Sequence, residues 1–285
     1  MIPLALVVTA AALTAGLPRL MARQEMLRRT PRAALLAWQS VTLGGILATI
    51  AIAPAIVPMV LFDGQTVGQH FMLLVLGVSI SGLMLGRLLV AGHRIGTRMR
   101  VLRARHRELV DIIARHSPDD ARVRVLEHPA PTAYCLPGRE PRLVLSQGVI
   151  DGLTQDQLRA VLAHEERHLR SRHDLLVEFF SVIHETVPEG VRCPTAMREV
   201  RLLVEVLADR ASVRRVGTDA TVEALFALSG SRTPDAAMGH GNSLAPTRVA
   251  ILQAGPASPA LTAAIYGYAA AALLTPVALM AALWT

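Results

Sequence analysis

The stretch Ala163-His164-Glu165-Glu166-Arg167-His168 carries the clearest chemistry in this chain. On a helix, two histidines four apart lie one turn apart on one face, so both imidazoles can bind one metal ion. Glu165, next to the first histidine, points close to the same place and can act as general base toward an attacking water. Imidazole and carboxylate donors around an open tetrahedral position suit Zn(2+). A catalytic site of this type needs a third protein ligand and an open fourth position. Downstream, Leu203-Val204-Glu205-Val206-Leu207-Ala208-Asp209-Arg210 sets Glu205 and Asp209 four apart in an otherwise apolar helical stretch. Carboxylates there are costly to bury unless paired or bound to metal. Glu205 is the expected third ligand and Asp209 the expected partner that orients a ligand histidine. The bland alternative pairs both carboxylates with Arg201, Arg210 or Arg214 on a solvated face.

Other reactive side chains fit less well. His173 is nine residues after His164, which on a continuous helix turns it about 180° away and argues against it as a ligand. His184 reads as a polar loop or surface residue. His240, in Met238-Gly239-His240-Gly241-Asn242, is a candidate transition-state donor from a flexible loop. Cys135 reads as a small buried residue, because no base is identifiable beside it. With only Cys135 and Cys193, the chain has neither a disulfide framework nor a four-cysteine zinc site.

The motif needs a helix to carry it, and the sequence supplies a start signal. Thr154 with Gln157 three residues later makes a capping-box pattern ahead of Leu158, Val161 and Leu162, predicting a helix through Arg170 and beyond. Pro188, Gly190 and Pro194 interrupt the pattern before a second helix from about Ala196 to Arg215. Upstream, Arg122–Val125 alternates as a half-buried strand would, with further strands expected at Ala133–Leu136 and Arg142–Ser146. A helical stretch at Met99–His116 precedes this small sheet.

The whole chain is more apolar than a soluble domain. Of 285 residues, 52% are apolar and 18% charged, against about 25% charged in typical soluble domains. Mean hydropathy is +0.41. Four apolar runs predict membrane spans: Ile2–Leu17, Ala33–Phe62, Phe71–Gly92 and Leu261–Trp284. Pro54 and Pro58 should kink the second or mark its end. Arg87 in the third is placed to snorkel to the interface. The net charge of +7 comes from 29 basic residues, all arginine. Five of them, Arg19, Arg23, Arg28, Arg29 and Arg32, separate the first two runs, and Arg94, Arg98, Arg100, Arg103, Arg105 and Arg107 follow the third. The loop Asp63–His70 has none. The positive-inside rule then puts the first loop and residues 93–260 in the cytoplasm, with both termini outside the plasma membrane. The basic stretch after the third run suits anionic headgroups. Aromatics are only 4% and do not interleave with basic runs, which argues against direct nucleic-acid binding.

The residues quoted above resemble a known group of proteins. Ala133-Tyr134-Cys135-Leu136-Pro137-Gly138, Pro141-Arg142-Leu143-Val144-Leu145-Ser146, Leu162-Ala163-His164-Glu165, Arg172-His173-Asp174, and Glu205 with Asp209 are similar to BlaR/MecR-type antirepressor membrane metallopeptidases. More distantly they resemble HtpX and CAAX prenyl proteases. The resemblance covers about Arg98–Arg215 closely. It implies a gluzincin-type zinc endopeptidase facing the cytoplasm, with His164, His168 and Glu205 as zinc ligands and Glu165 as base. It also implies that Arg142, Leu143, Val144, Leu145 and Ser146 form a strand that pairs with extended substrate. Arg248, in Thr247-Arg248-Val249, resembles an arginine that helps hold substrate or transition state. The implied substrate is a cytoplasmic DNA-binding repressor, cleaved to transmit a signal. The best-known members carry a penicillin-binding sensor after the last span, whereas the sequence here ends at Thr285, so the inducing signal is expected from a partner, lipid or the outer loops.

The expected molecule is therefore an α-helical membrane protein of about four transmembrane helices with a cytoplasmic α+β zincin-type metallopeptidase domain. Residues 1–92 form the N-terminal membrane region, 93–260 the peptidase domain and 261–285 the last span. A quality-control membrane protease similar to HtpX shares all of this chemistry with a different substrate. A non-catalytic zinc-binding signalling scaffold is the alternative from another class.

Overall fold

The computed structural model describes residues 1–62, 67–118, 120–228, 244–255 and 257–283. Its first apolar helix, α1 (Ile2–Ala11), runs through a π-helical turn at Ala12–Gly16 into α2 (Leu17–Met21). Helix α3 (Pro31–Phe62) contains Pro54 and Pro58 in its interior, so neither proline ends it. Helix α4 (Val67–Ile113) is continuous for 47 residues, about 70 Å at 1.5 Å per residue. The third apolar run and the helical stretch expected from Met99 are thus one helix, with Gly92 and Gly96 inside it, but it ends at Ile113 and the last expected helical residues, Arg115 and His116, form a strand instead. The chain continues through β1 (Arg115–His116), β2 (Val123–Leu126), β3 (Ala133–Leu136) and β4 (Arg142–Ser146). It closes with α5 (Gln147–Gly152), α6 (Gln155–Arg170), α7 (His173–Thr186), α8 (Ala196–Val216), α9 (Thr218–Ala227), α10 (Ala245–Gln253) and α11 (Pro259–Ala281).

Two compact units divide the chain, and the boundaries differ from a simple cut at residues 93 and 260. One comprises Met1–Arg94, Phe180–Val200 and Ala257–Thr285. The helical segments Ile2–Met21, Pro31–Val60, Phe71–Ile113 and Pro259–Ala281 are long and apolar enough to cross a membrane, and they suggest membrane association. Leu6 and Ala10 of α1 bury against Ala48, Ala51, Ile52, Ala55 and Ile56 of α3. Small residues allow close approach of helices: a Cβ at Gly44 of α3 would run into the backbone carbonyl oxygen of Ala272 in α11. Arg87 does not snorkel. Its guanidinium donates to the carbonyls of Thr186 (2.6 Å) and Glu185 (2.8 Å), capping the C-terminal end of α7. Arg28 makes a two-pronged ion pair with the buried Glu199 at 2.9 Å on both oxygens.

The second unit, Ile95–Phe179 with Arg201–Pro256, holds the sheet. Strand order is β1-β2-β4-β3; β2 and β4 run parallel, and the other neighbours are antiparallel. One core cluster joins Leu145, Val149, Ala160, Val161 and Ala224. Ser146 ends β4 and caps α5, its Oγ accepting from the backbone N–H groups of Val149 (3.2 Å) and Thr132 (2.9 Å). The expected capping box opens α6, with both reciprocal bonds between Thr154 and Gln157 formed. Ser212 of α8 donates to the carbonyl of Ala160 at 2.8 Å and fixes α8 against α6.

The assignment of Arg142, Leu143, Val144, Leu145 and Ser146 as a substrate-pairing strand is corrected by this topology. β4 is an interior strand, paired with β2 on one side and β3 on the other. Its ladder positions are already taken, and the edge strand next to it is β3.

Candidate active site

Helix α6 presents His164 and His168 on one face, and α8 delivers Glu205 and Asp209 one turn apart to meet them. The two Nε2 atoms lie 3.0 Å apart. Glu205 Oε2 is 3.4 Å from His164 Nε2, and Glu205 Oε1 is 3.5 Å from His168 Nε2. Atoms bound to a tetrahedral zinc at 2.0–2.1 Å stand about 3.4 Å apart, so this donor set matches one such ion. His164, His168 and Glu205 are the cluster suited to a metal among the described residues.

A second layer fixes these donors. His164 Nδ1 lies 3.0 Å from Asp209 Oδ1, an arrangement that turns Nε2 toward the centre. Asp209 is fully buried and is held by Arg248, whose Nε and Nη2 donate to its two oxygens at 2.8 and 2.5 Å. Arg248 Nη1 reaches Glu205 Oε2 at 3.2 Å. Arg248 thus has a different place from the one the resemblance implied. It is buried in α10, and each of its guanidinium nitrogens faces a carboxylate, so it positions Glu205 and Asp209 rather than contacting substrate. Both carboxylates are buried beside Arg248, so neither lies on a solvated face.

Electrostatics in this cluster follow from burial and charge. Burial opposes the charged form of every group, yet for His164 the adjacent Asp209 and Glu205 outweigh it and raise its pKa to about 10. His168 moves the other way, held well below the ordinary value by burial. Burial would raise the Glu205 carboxyl, but Arg248 and the two histidines draw it far below the usual range. The pocket therefore stabilises positive charge where the three donors converge, as a cation site requires.

Glu165 is buried and its pKa is pushed up to about 7, first by burial and further by Glu205. It accepts a hydrogen bond from the Cys135 thiol of β3, whose own pKa is driven upward by burial. Its Oε2 atom is buried with no hydrogen-bond partner among the described residues. A carboxylate oxygen left unsatisfied in this way is ready to take a proton from a water or substrate group.

The sequence reading missed His173. A continuous helix would turn it away from His168, but α6 ends at Arg170, and Arg172 adopts φ 48° before α7 begins at His173. That left-handed residue brings His173 Nδ1 to 2.9 Å from His168 Nδ1, both rings fully buried. His173 is absent from the donor triangle, as expected, but it orients one of its members. Burial holds it down at about 4, so it is neutral there. A helix ending in Arg170-Ser171-Arg172 with no glycine gave no sign of the break. His240 lies outside the described residues. At the rim, Tyr134, Cys135 and Leu136 of edge strand β3 are all buried. The side chains of His164, His168 and Glu205 are only 14, 0 and 6% exposed.

Comparison with known proteins agrees with this chemistry. Residues 97–187 match the model of Peptidase family M48, a span that includes His164, Glu165, His168 and His173 and stops before Glu205. The chain is 32% identical over 116 residues to the Plastoglobule-localized metallopeptidase 48, chloroplastic, of Arabidopsis thaliana. That alignment covers 37% of this chain and 33% of the relative, so the chain spans about a third of the relative's length. No solved structure matches. The two matches support a metalloprotease, and peptidases of family M48 generally use zinc.

Proposed function

We propose that the chain is an integral-membrane zinc metalloendopeptidase that cleaves a cytoplasmic protein, a DNA-binding repressor in a BlaR/MecR-like pathway. The observation that carries the enzymatic reading is the donor triangle of His164, His168 and Glu205, braced by Asp209, Arg248 and His173, with Glu165 alongside. Zinc held there supplies Lewis acidity toward a peptide carbonyl and toward water. Glu165 takes the proton of the attacking water on its unpartnered oxygen and passes it to the leaving amine. Asp209 keeps His164 in the tautomer that offers Nε2, and Arg248 keeps Asp209 and Glu205 ionised inside the fold. An extended substrate reaches Glu165 along the outer edge of β3, whose Cys135 touches that carboxylate.

The repressor assignment and the BlaR/MecR subfamily rest on the motif resemblance, and the arrangement of the catalytic domain in the cytoplasm with both termini outside rests on the arginine distribution. The test is Glu165→Gln in the full chain. The variant should retain about one equivalent of zinc and lose about 10²–10⁴-fold in peptide cleavage, the contribution of a general base. Normal cleavage by the variant overturns the assigned chemistry. Comparing proteins stabilised in wild-type and variant cells decides the substrate: one stabilised DNA-binding protein supports the repressor, and many stabilised membrane proteins support a quality-control protease.

A further inference from the structure

The face of α6 opposite the histidines lines a second concavity. A cleft of about 360 Å³ lies between α6 and α8, walled by Arg159, Glu166, Arg167, Arg170, Arg214 and Arg215. The stripe Arg159, Ala163, Glu166 and Arg170 follows i, i+4, i+7, i+11 spacing, and His164 and His168 lie roughly 150° around the helix from it. A ligand in the cleft therefore meets none of the catalytic donors.

Five guanidinium groups and one carboxylate line the cleft; that carboxylate is already engaged, and so is Arg167. Glu166 pairs with Arg122 at 3.3 Å and more loosely with Arg170 at 3.9 Å. Arg159 pairs with Asp156 at 3.2 Å on the exposed surface. Arg214 and Arg215, side by side in the last turn of α8, have no carboxylate within ion-pair distance among the described residues. Arginines at helix C-termini also complement the helix dipole, but that role needs neither a concavity nor convergence from two helices. Planar guanidinium forks match phosphate oxygens in pairs. The volume suits a headgroup rather than a folded partner.

We propose that this cleft binds a phosphate-bearing anion, the glycerophosphate headgroup of an anionic lipid. Helices long and apolar enough to cross a membrane would hold this chain at a bilayer, which favours a lipid source over a soluble phosphate.

The experiment is calorimetric titration of the full chain in uncharged detergent with dihexanoyl phosphatidylglycerol, dihexanoyl phosphatidylcholine and inorganic phosphate. Phosphatidylglycerol should bind, more weakly as salt rises, and phosphatidylcholine should bind at least tenfold more weakly. Arg214→Gln with Arg215→Gln should weaken phosphatidylglycerol binding roughly 25-fold, about fivefold for each lost cation. Arg159→Gln with Arg170→Gln, at two well-exposed side chains, gives a second variant that does not depend on α8. Equal binding of the two lipids overturns the proposal, as does wild-type affinity in both double variants. Inorganic phosphate binding as tightly as phosphatidylglycerol overturns the lipid assignment.

Discussion

Removing Arg248 should open the catalytic unit, and the size of the effect follows from what the guanidinium contacts. It is 4% exposed and holds Asp209 and Glu205, which are 0 and 4% exposed. Arg248→Met leaves two buried carboxylates without their principal counter-ion. Breaking a buried ion pair from one side costs about 3–5 kcal/mol, because the remaining charge stays desolvated. Cys135 is fully buried in the same unit and reports opening directly. With Cys193→Ala as background and the metal chelated, a thiol-reactive dye should label Cys135 faster in Arg248→Met by roughly two to three and a half orders of magnitude. This holds where reclosing outpaces labelling. Adding Asp209→Asn should recover part of the loss, since one uncompensated charge is then gone. Zinc should protect the variant, replacing the missing positive charge. Labelling of the variant within threefold of wild type would refute the reasoning that Arg248 is the counter-ion of this cluster.

Two further outcomes are expected. His173→Ala should reduce zinc affinity about 10- to 100-fold in a chelator competition, because His168 loses the ring that orients it, while His173→Gln should recover part of the affinity. Gly44→Val should lower the thermal midpoint of the full chain in detergent by several degrees, because no side chain fits between α3 and the Ala272 carbonyl, whereas Gly82→Val, at an open position on α4, should not.

What was legible in the sequence was whatever depends on near neighbours. The capping box at Thr154 and Gln157, the strands at Ala133–Leu136 and Arg142–Ser146, and the i, i+4 placement of His164 with His168 and of Glu205 with Asp209 are all local patterns. What was not legible depends on residues far apart in the chain. Strand order is non-local, so nothing in the pattern of β4 opposed the substrate-pairing role that the resemblance implies, although β2 and β3 occupy both its sides. Arg248 is 39 residues from Asp209, and no periodicity links them. His173 was misplaced because one left-handed residue, Arg172, resets the helical phase. The continuity of α4 was hidden for the opposite reason: its hydropathy changes abruptly near Gly92, but the backbone has no cause to stop there.

The catalytic cluster and Tyr134, Cys135 and Leu136 of β3 are buried, so a substrate that needs them uncovered meets a closed form. A substrate binds only the fraction of molecules that have opened, and its apparent affinity falls by that fraction: about a hundredfold when one molecule in a hundred is competent. A partner that binds the opened form can then raise turnover by up to that factor while leaving every zinc ligand where it is. Choice of substrate would rest less on the shape of a cleft than on which molecules can hold it ajar, and a short peptide should be a poorer substrate than a protein able to grip the domain at a distance.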